Sequence, residues 1–180
     1  LSKYFFQKYL KNLNMRKYGL IGYPLGHSFS KGYFTGKFLK EKINDCSYEN
    51  FPVADIGMLN KILEEETDLL GLNVTIPYKS QIIKYLDFID NEALEIGAVN
   101  VLKIKRGENR ILLHGYNSDI TGIADSLSPY LGREIKNAIV LGTGGSSRSV
   151  CYVLQKAGWN ILQVSRNRRP GIIDYSDLNP

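Results

Sequence analysis

Between a strand-like run ending at Leu141 and a helix-like run behind it, the chain reads Gly142-Thr143-Gly144-Gly145-Ser146-Ser147. Glycines there let a backbone turn tightly and approach a pyrophosphate. The helix N-terminus behind them offers free N–H donors at the positive end of its dipole. An ordinary glycine-rich turn has the same composition, and it is the strand–turn–helix context that points to a dinucleotide, cradled by Gly142, Gly144, Gly145 and Ser146. The next strand-like run ends at Ser165-Arg166-Asn167. An NAD site usually carries a carboxylate at this point, to accept from the ribose 2′-hydroxyl, and none occurs. Arg166 instead suits a 2′-phosphate, through charge-assisted bonds worth about 1.5–3 kcal/mol. The expected cofactor is NADP, with Ser165, Arg166 and Asn167 beside its 2′-phosphate; a solvated arginine loop is the alternative. Arg168 and Arg169 are less specific.

Other polar clusters precede this loop. Residues 22–30 read GYPLGHSFS, residues 73–79 NVTIPYK, residues 97–100 GAVN and residues 115–119 GYNSD. Each falls where a strand-like run begins or ends, and open α/β sheets bind ligands at strand ends.

The elements that must hold these clusters follow from periodicity. Residues 18–22 form a short apolar run closed by Gly22 and Pro24, and residues 47–53 alternate as a strand. Residues 33–43 carry Phe34, Phe38, Leu39 and Ile43 at helical spacing. Asp55 caps a helix whose apolar face is Met58, Leu59, Ile62 and Leu63. Residues 69–76 read as a strand, 81–86 and 92–96 as short helices. Residues 98–105 and 110–114 read as two strands around a turn at 107–109. Residues 119–131 put Ile120, Ile123, Ala124, Leu127 and Leu131 on one helix face, with Asp119 as N-cap. Residues 138–141 read as a buried strand, 146–157 as a helix with Val150, Val153, Leu154 and Ala157 inward, and 160–165 as a strand. Strands and helices alternate from end to end, the mark of an α/β fold with mostly parallel sheets.

The chain has 180 residues, 43% of them apolar and 23% charged. That suffices for a sizeable core and falls short of two average domains. No segment reaches the length of a membrane span. The net charge of +5 is spread along the chain and fits an anionic small molecule at least as well as nucleic acid. The two cysteines, Cys46 and Cys151, lie far apart in no metal-ligand spacing. No metal is expected, both thiols are read as inert core residues, and a reducing, cytoplasmic setting is the default. Residues 1–14 lack a signal peptide's long apolar run and read as a leader or extension before Met15; an amphipathic helix packed on the body is the alternative.

Taken in order, the clusters resemble the shikimate dehydrogenase family. That family carries an S-x-S loop after the first strand, then N-V-T-x-P-x-K, G-A-V-N, N-T-D-x-x-G, a G-x-G-G loop and a basic N-R-T-like turn. All six have counterparts here between Gly22 and Asn167. The resemblance implies that Ser28 and Ser30 hold a substrate carboxylate, and that Asn73, Thr75, Asn100 and Asp119 hold ring hydroxyls. It implies that Lys79 and Asp119 are the catalytic pair, also in contact with substrate. The implied activity is reversible NADPH-dependent reduction of 3-dehydroshikimate to shikimate, a step of chorismate and aromatic amino-acid biosynthesis. Quinate as substrate, or a fragment that binds shikimate without turnover, are the alternatives. The implied partners are these small molecules, with no nucleic acid and no membrane, on a monomer or homodimer. Residue chemistry agrees: hydride delivery to a ketone creates an alkoxide, which a nearby ammonium stabilises and protonates while a carboxylate orients it. A paired carboxylate favours the charged lysine and burial opposes it, so sequence leaves open whether Lys79 titrates or only positions.

The implied organisation is a substrate-binding catalytic domain over residues 15–116 with a mostly parallel sheet, a connecting helix over 117–136, and an incomplete Rossmann NADP-binding domain over 137–180. The last is expected to be truncated, a strand–helix–strand unit followed by a short tail, without the family's C-terminal glutamine and returning helix. Other departures are Lys31 in place of proline, Thr35-Gly36 in place of His-Asn, Val101 and Ser118 in place of threonines, and the flanks of Arg166. His27 is read as shaping the serine loop and His114 as a strand residue. Tyr23, Tyr78 and Tyr116 either line the pocket or pack.

Overall fold

The computed structural model describes residues 15–132, 134, 136–166 and 170–178. Residues 1–14, including the leader reading, lie outside them, as do Asn167, Arg168 and Arg169. The first part of the chain runs β1 (Arg16–Gly22), α1 (Ser30–Lys40), β2 (Cys46–Pro52), a 3₁₀ turn (Ile56–Met58) and α2 (Leu59–Glu65). It continues through β3 (Leu69–Val74), a 3₁₀ turn (Gln81–Tyr85), β4 (Phe88–Ile89), α3 (Asn91–Ile96), β5 (Val101–Arg106) and β6 (Ile111–Tyr116). These strands form one sheet in the order β2-β1-β3-β5-β6-β4. Its β1–β2, β1–β3 and β4–β6 pairings are parallel, while β5 runs against both neighbours. The sheet is therefore mixed but mostly parallel.

Two apolar layers sandwich it. On one face Ile21, Leu72, Val74 and Leu102 pack with Ile56, Leu59, Ile62 and Leu63, and with Ile82, Ala93 and Leu113. On the other, Leu20, Leu25 and Tyr48 pack against Phe34 and Phe38 of α1. Burying one such Leu or Ile side chain contributes about 1.5–3 kcal/mol. Asp55 caps as expected, accepting from Gly57 N, but Met58 turns outward. The helix expected over 33–43 begins earlier, at Ser30, because the Ser28 hydroxyl accepts the free Ser30 N–H. It ends before Ile43 in a Schellman turn. Lys42 takes φ +58°, and the Ile43 and Lys42 N–H groups donate to Phe38 O and Leu39 O.

Beyond β6, α4 (Asp119–Leu131) leads to β7 (Asn137–Leu141), α5 (Gly145–Lys156), β8 (Asn160–Ser165) and β9 (Ile172–Asp174), then a 3₁₀ turn (Tyr175–Asp177). The last three strands form a separate parallel sheet in the order β7-β8-β9. α5 covers one face through Ser149, Val153 and Leu154. The apolar face expected on α4 is only half-buried. Two sequence readings need correction. Residues 138–141 are not a buried strand: Val140 is buried, but Ile139 and Leu141 are each 60% exposed, because only one side of β7 is packed. The tail after Pro170-Gly171 contains β9, too short to show a period, and Asp174 caps the turn behind it. No helix among the described residues is long and apolar enough to cross a membrane.

Candidate active site

Strand direction gathers the polar clusters. β3 and β6 end at the sheet edge where antiparallel β5 begins, in the register Asn73↔Val101↔Tyr116. One edge thus receives the loop after Asn73, the start of β5 at Asn100, and the β6–α4 junction. The loop after β1 joins them, since Tyr23 N donates to Ile76 O at 3.0 Å and Thr75 N to Ile21 O at 3.0 Å.

At this edge Lys79 Nζ donates to Asp119 Oδ2 at 2.7 Å. The two side chains are 13% and 26% exposed, so the pair is largely withdrawn from water. Asn100, 8% exposed, donates from Nδ2 to Asp119 Oδ1 at 2.6 Å and to Ser118 Oγ at 3.0 Å. Its Oδ1 accepts from Ser118 N at 2.8 Å. Its amide is thus engaged within the protein and fixes the Asp119 carboxylate. Asp119 is the first residue of α4 and does not cap it; its carboxylate is held by Lys79 and Asn100, and Asn117 Oδ1 accepts the Asp119 N–H at 3.0 Å. Asn117 Nδ2 donates to Ala98 O and to Ser149 Oγ, tying the first sheet to α5.

A second group of polar side chains lies between the serine loop and β3. Ser28 Oγ accepts from Ser30 N at 3.3 Å, and the Tyr48 hydroxyl, close to Ser30, donates to Asn73 Oδ1 at 2.8 Å. Burial pushes the Tyr48 phenol up to about 12, with the nearby Ser30 hydroxyl opposing. Tyr48 is 3% exposed and stacks on Phe34 at 4.5 Å. Tyr48 was not legible as a site residue: its place in an alternating strand marks it inward, but nothing in the sequence pairs it with Ser30 or Asn73. Thr75 is half-buried at the end of β3. Tyr78 is core, donating to Val53 O at 2.6 Å, while Tyr23 and His27 are exposed. Cys46 and Cys151 are only partly buried, and burial raises both thiols.

The glycine loop lies against the lysine. Gly142 takes φ +104°, a conformation side chains rarely adopt, and is pinned to the end of β8 by Gly142 N–H donation to Val164 O. A Cβ on Gly145 would stand 2.8 Å from Lys79 Cβ, so only glycine admits this approach. Ser146 Oγ lies 3.0 Å from Lys79 Nζ. Gly144, Gly145, Ser146 and Ser147 face Ile76, Pro77, Lys79 and Ser80 across a cavity of about 370 Å³. A Cβ on Gly144 would meet nothing within 4 Å, so the loop is open to a phosphate at the N-terminus of the 12-residue α5. Ser165 is buried at the end of β8 and Arg166 is exposed just beyond it. These features fit a dinucleotide. Among the described residues, no cluster of three or more His, Cys, Asp or Glu can hold a metal.

Residues 20–102 match the family model described as the shikimate dehydrogenase substrate binding domain. A shikimate dehydrogenase (NADP(+)) of Methanococcus vannielii is 42% identical over 151 residues, covering 83% of this chain and 51% of the relative. The chain is thus similar to the shikimate dehydrogenase family. Solved structures in that family agree in fold. Shikimate dehydrogenase 1 from Peptoclostridium difficile superposes with a TM-score of 0.77 at 35% identity, over 91% of this chain and 62% of that one. A shikimate dehydrogenase solved in complex with NADP+ gives 0.73 at 38% identity, over 87% and 53%. The chain spans about half the length of the curated shikimate dehydrogenases it matches.

Proposed function

We propose that this chain carries the substrate site and the phosphate loop of an NADP-dependent shikimate dehydrogenase, which reversibly reduces 3-dehydroshikimate to shikimate in chorismate and aromatic amino-acid biosynthesis. The observation that carries the reading is the Lys79–Asp119 pair, locked by Asn100 and set against the glycine loop. The names of the relatives, and the NADP+ bound to one structural neighbour, support it.

In this reading Ser28 and Ser30 grip the substrate carboxylate, and Asn73 and Thr75 hold ring hydroxyls. Gly142, Gly144, Gly145 and Ser146 hold the pyrophosphate of NADPH, with Ser165 and Arg166 at its 2′-phosphate. NADPH, when bound, supplies the hydride. An ammonium has three donors; Lys79 commits two, to Asp119 and Ser146, and its third serves the substrate oxygen. As the ketone is reduced, Lys79 stabilises the negative charge on that oxygen and delivers a proton to it, while Asp119 holds the amine in place.

The test is shikimate-dependent NADP reduction by the protein and by Lys79→Ala. The variant is expected to lose about 10²–10⁴-fold in kcat. A protein with no shikimate-dependent NADP reduction, or a variant changed only in KM, rules the assignment out.

A further inference from the structure

Ser146 meets Lys79 in a way that neither a phosphate loop nor an amine site requires by itself. Lysine ammonium has donors and no acceptor, so at 3.0 Å the Ser146 oxygen must accept. The serine's own O–H proton is then left for another partner. Ser146 lines the cavity shared with Ile76, Pro77, Lys79 and Ser80. It also lines a neighbouring cavity of about 550 Å³ that contains Asp119. The contact is set by packed backbone: Gly145 lies against the Lys79 stem, and Asn117 bonds Ser149 one turn along α5.

We propose that Ser146 is a positioning residue that couples the glycine loop to the Lys79 amine, its oxygen holding the ammonium while its O–H is offered to a phosphate oxygen seated on the loop. The ligand's identity rests on the shikimate dehydrogenase reading; the contact itself does not. An oxyanion that accepts the serine proton polarises the hydroxyl and makes its oxygen a better acceptor for Lys79. Loop occupancy therefore tightens the hold on the amine.

Acylation of Lys79 by acetic anhydride in the full chain, quantified by mass spectrometry of its peptide, reads this directly, with inorganic pyrophosphate as the loop probe. Ser146→Ala is expected to acylate Lys79 about two- to tenfold faster than the parent, the worth of one hydrogen bond. Ser146→Thr, which keeps the hydroxyl, should stay near the parent rate. Pyrophosphate should slow acylation in the parent and the threonine variant and have little effect in the alanine variant. Equal basal rates in parent and alanine variant, or equal pyrophosphate effects in both, overturn the coupling. Absence of shikimate-dependent NADP reduction, with the acylation contrast intact, strikes the proposed activity and leaves the coupling standing.

Discussion

Replacing Tyr48 by phenylalanine deletes the hydroxyl that donates to Asn73 and leaves the ring on Phe34. Near neutral pH the variant strands Asn73 Oδ1, which loses its donor at 2.8 Å. An orphaned acceptor costs about 1–3 kcal/mol, and the half-buried Asn73 belongs at the lower end, about 1 kcal/mol. High pH reverses the comparison. The folded phenol sits at about 12 against an ordinary 10.0, so between those values the unfolded chain releases a proton that the folded chain keeps. The contribution of the neutral phenol is whole below the unfolded value and is lost as pH rises toward the folded one. The loss approaches about 2.7 kcal/mol at the limit and is about 1.4 kcal/mol at about pH 11. The phenylalanine variant has no such proton to lose, and the remaining tyrosines are common to both proteins. Its deficit of about 1 kcal/mol at about pH 8 should therefore vanish by about pH 11. Urea unfolding of both proteins at the two pH values, followed by circular dichroism, measures this. A deficit that is the same at both would refute the buried phenol bonded to Asn73.

Gly145→Ala should displace the Lys79 stem, since the new Cβ would stand 2.8 Å from Lys79 Cβ and 3.1 Å from its Cδ. Overpacking of this kind costs about 1–3 kcal/mol, and kcat should fall more than in Gly144→Ala, whose Cβ meets open space. Equal kcat in the two variants would make the close approach irrelevant. Arg166→Ala should lose about tenfold or more in apparent affinity for NADP while leaving NAD unchanged. An unaltered NADP-to-NAD preference in competitive binding would remove Arg166 from the site.

Much of this molecule was legible residue by residue. The helix over 119–131 and the strand over 160–165 have the observed bounds, because both carry a strong period closed by local turn chemistry. The start of α1 was misplaced by three residues: Gly32 and Gly36 dilute the helical signal, and the bond from Ser30 N–H to the Ser28 hydroxyl is one that composition does not reveal. β9 was missed because three residues are too few for a pattern. Reading 138–141 as buried treated an apolar run as if both faces of its strand were covered.

From its sequence alone the chain determined which side chains stand at strand ends and which glycines can turn around a phosphate. Those are consequences of local period and residue type. Only the tertiary structure decided that β5 runs against β3 and β6, so that groups 40 residues apart meet at 2.7 Å. It also decided that Asp119 does not cap α4, and that Tyr48 and Ser146 hold their neighbours in place. Pairings between distant segments depend on strand order and on what each side chain finds across the sheet, and no local pattern encodes either.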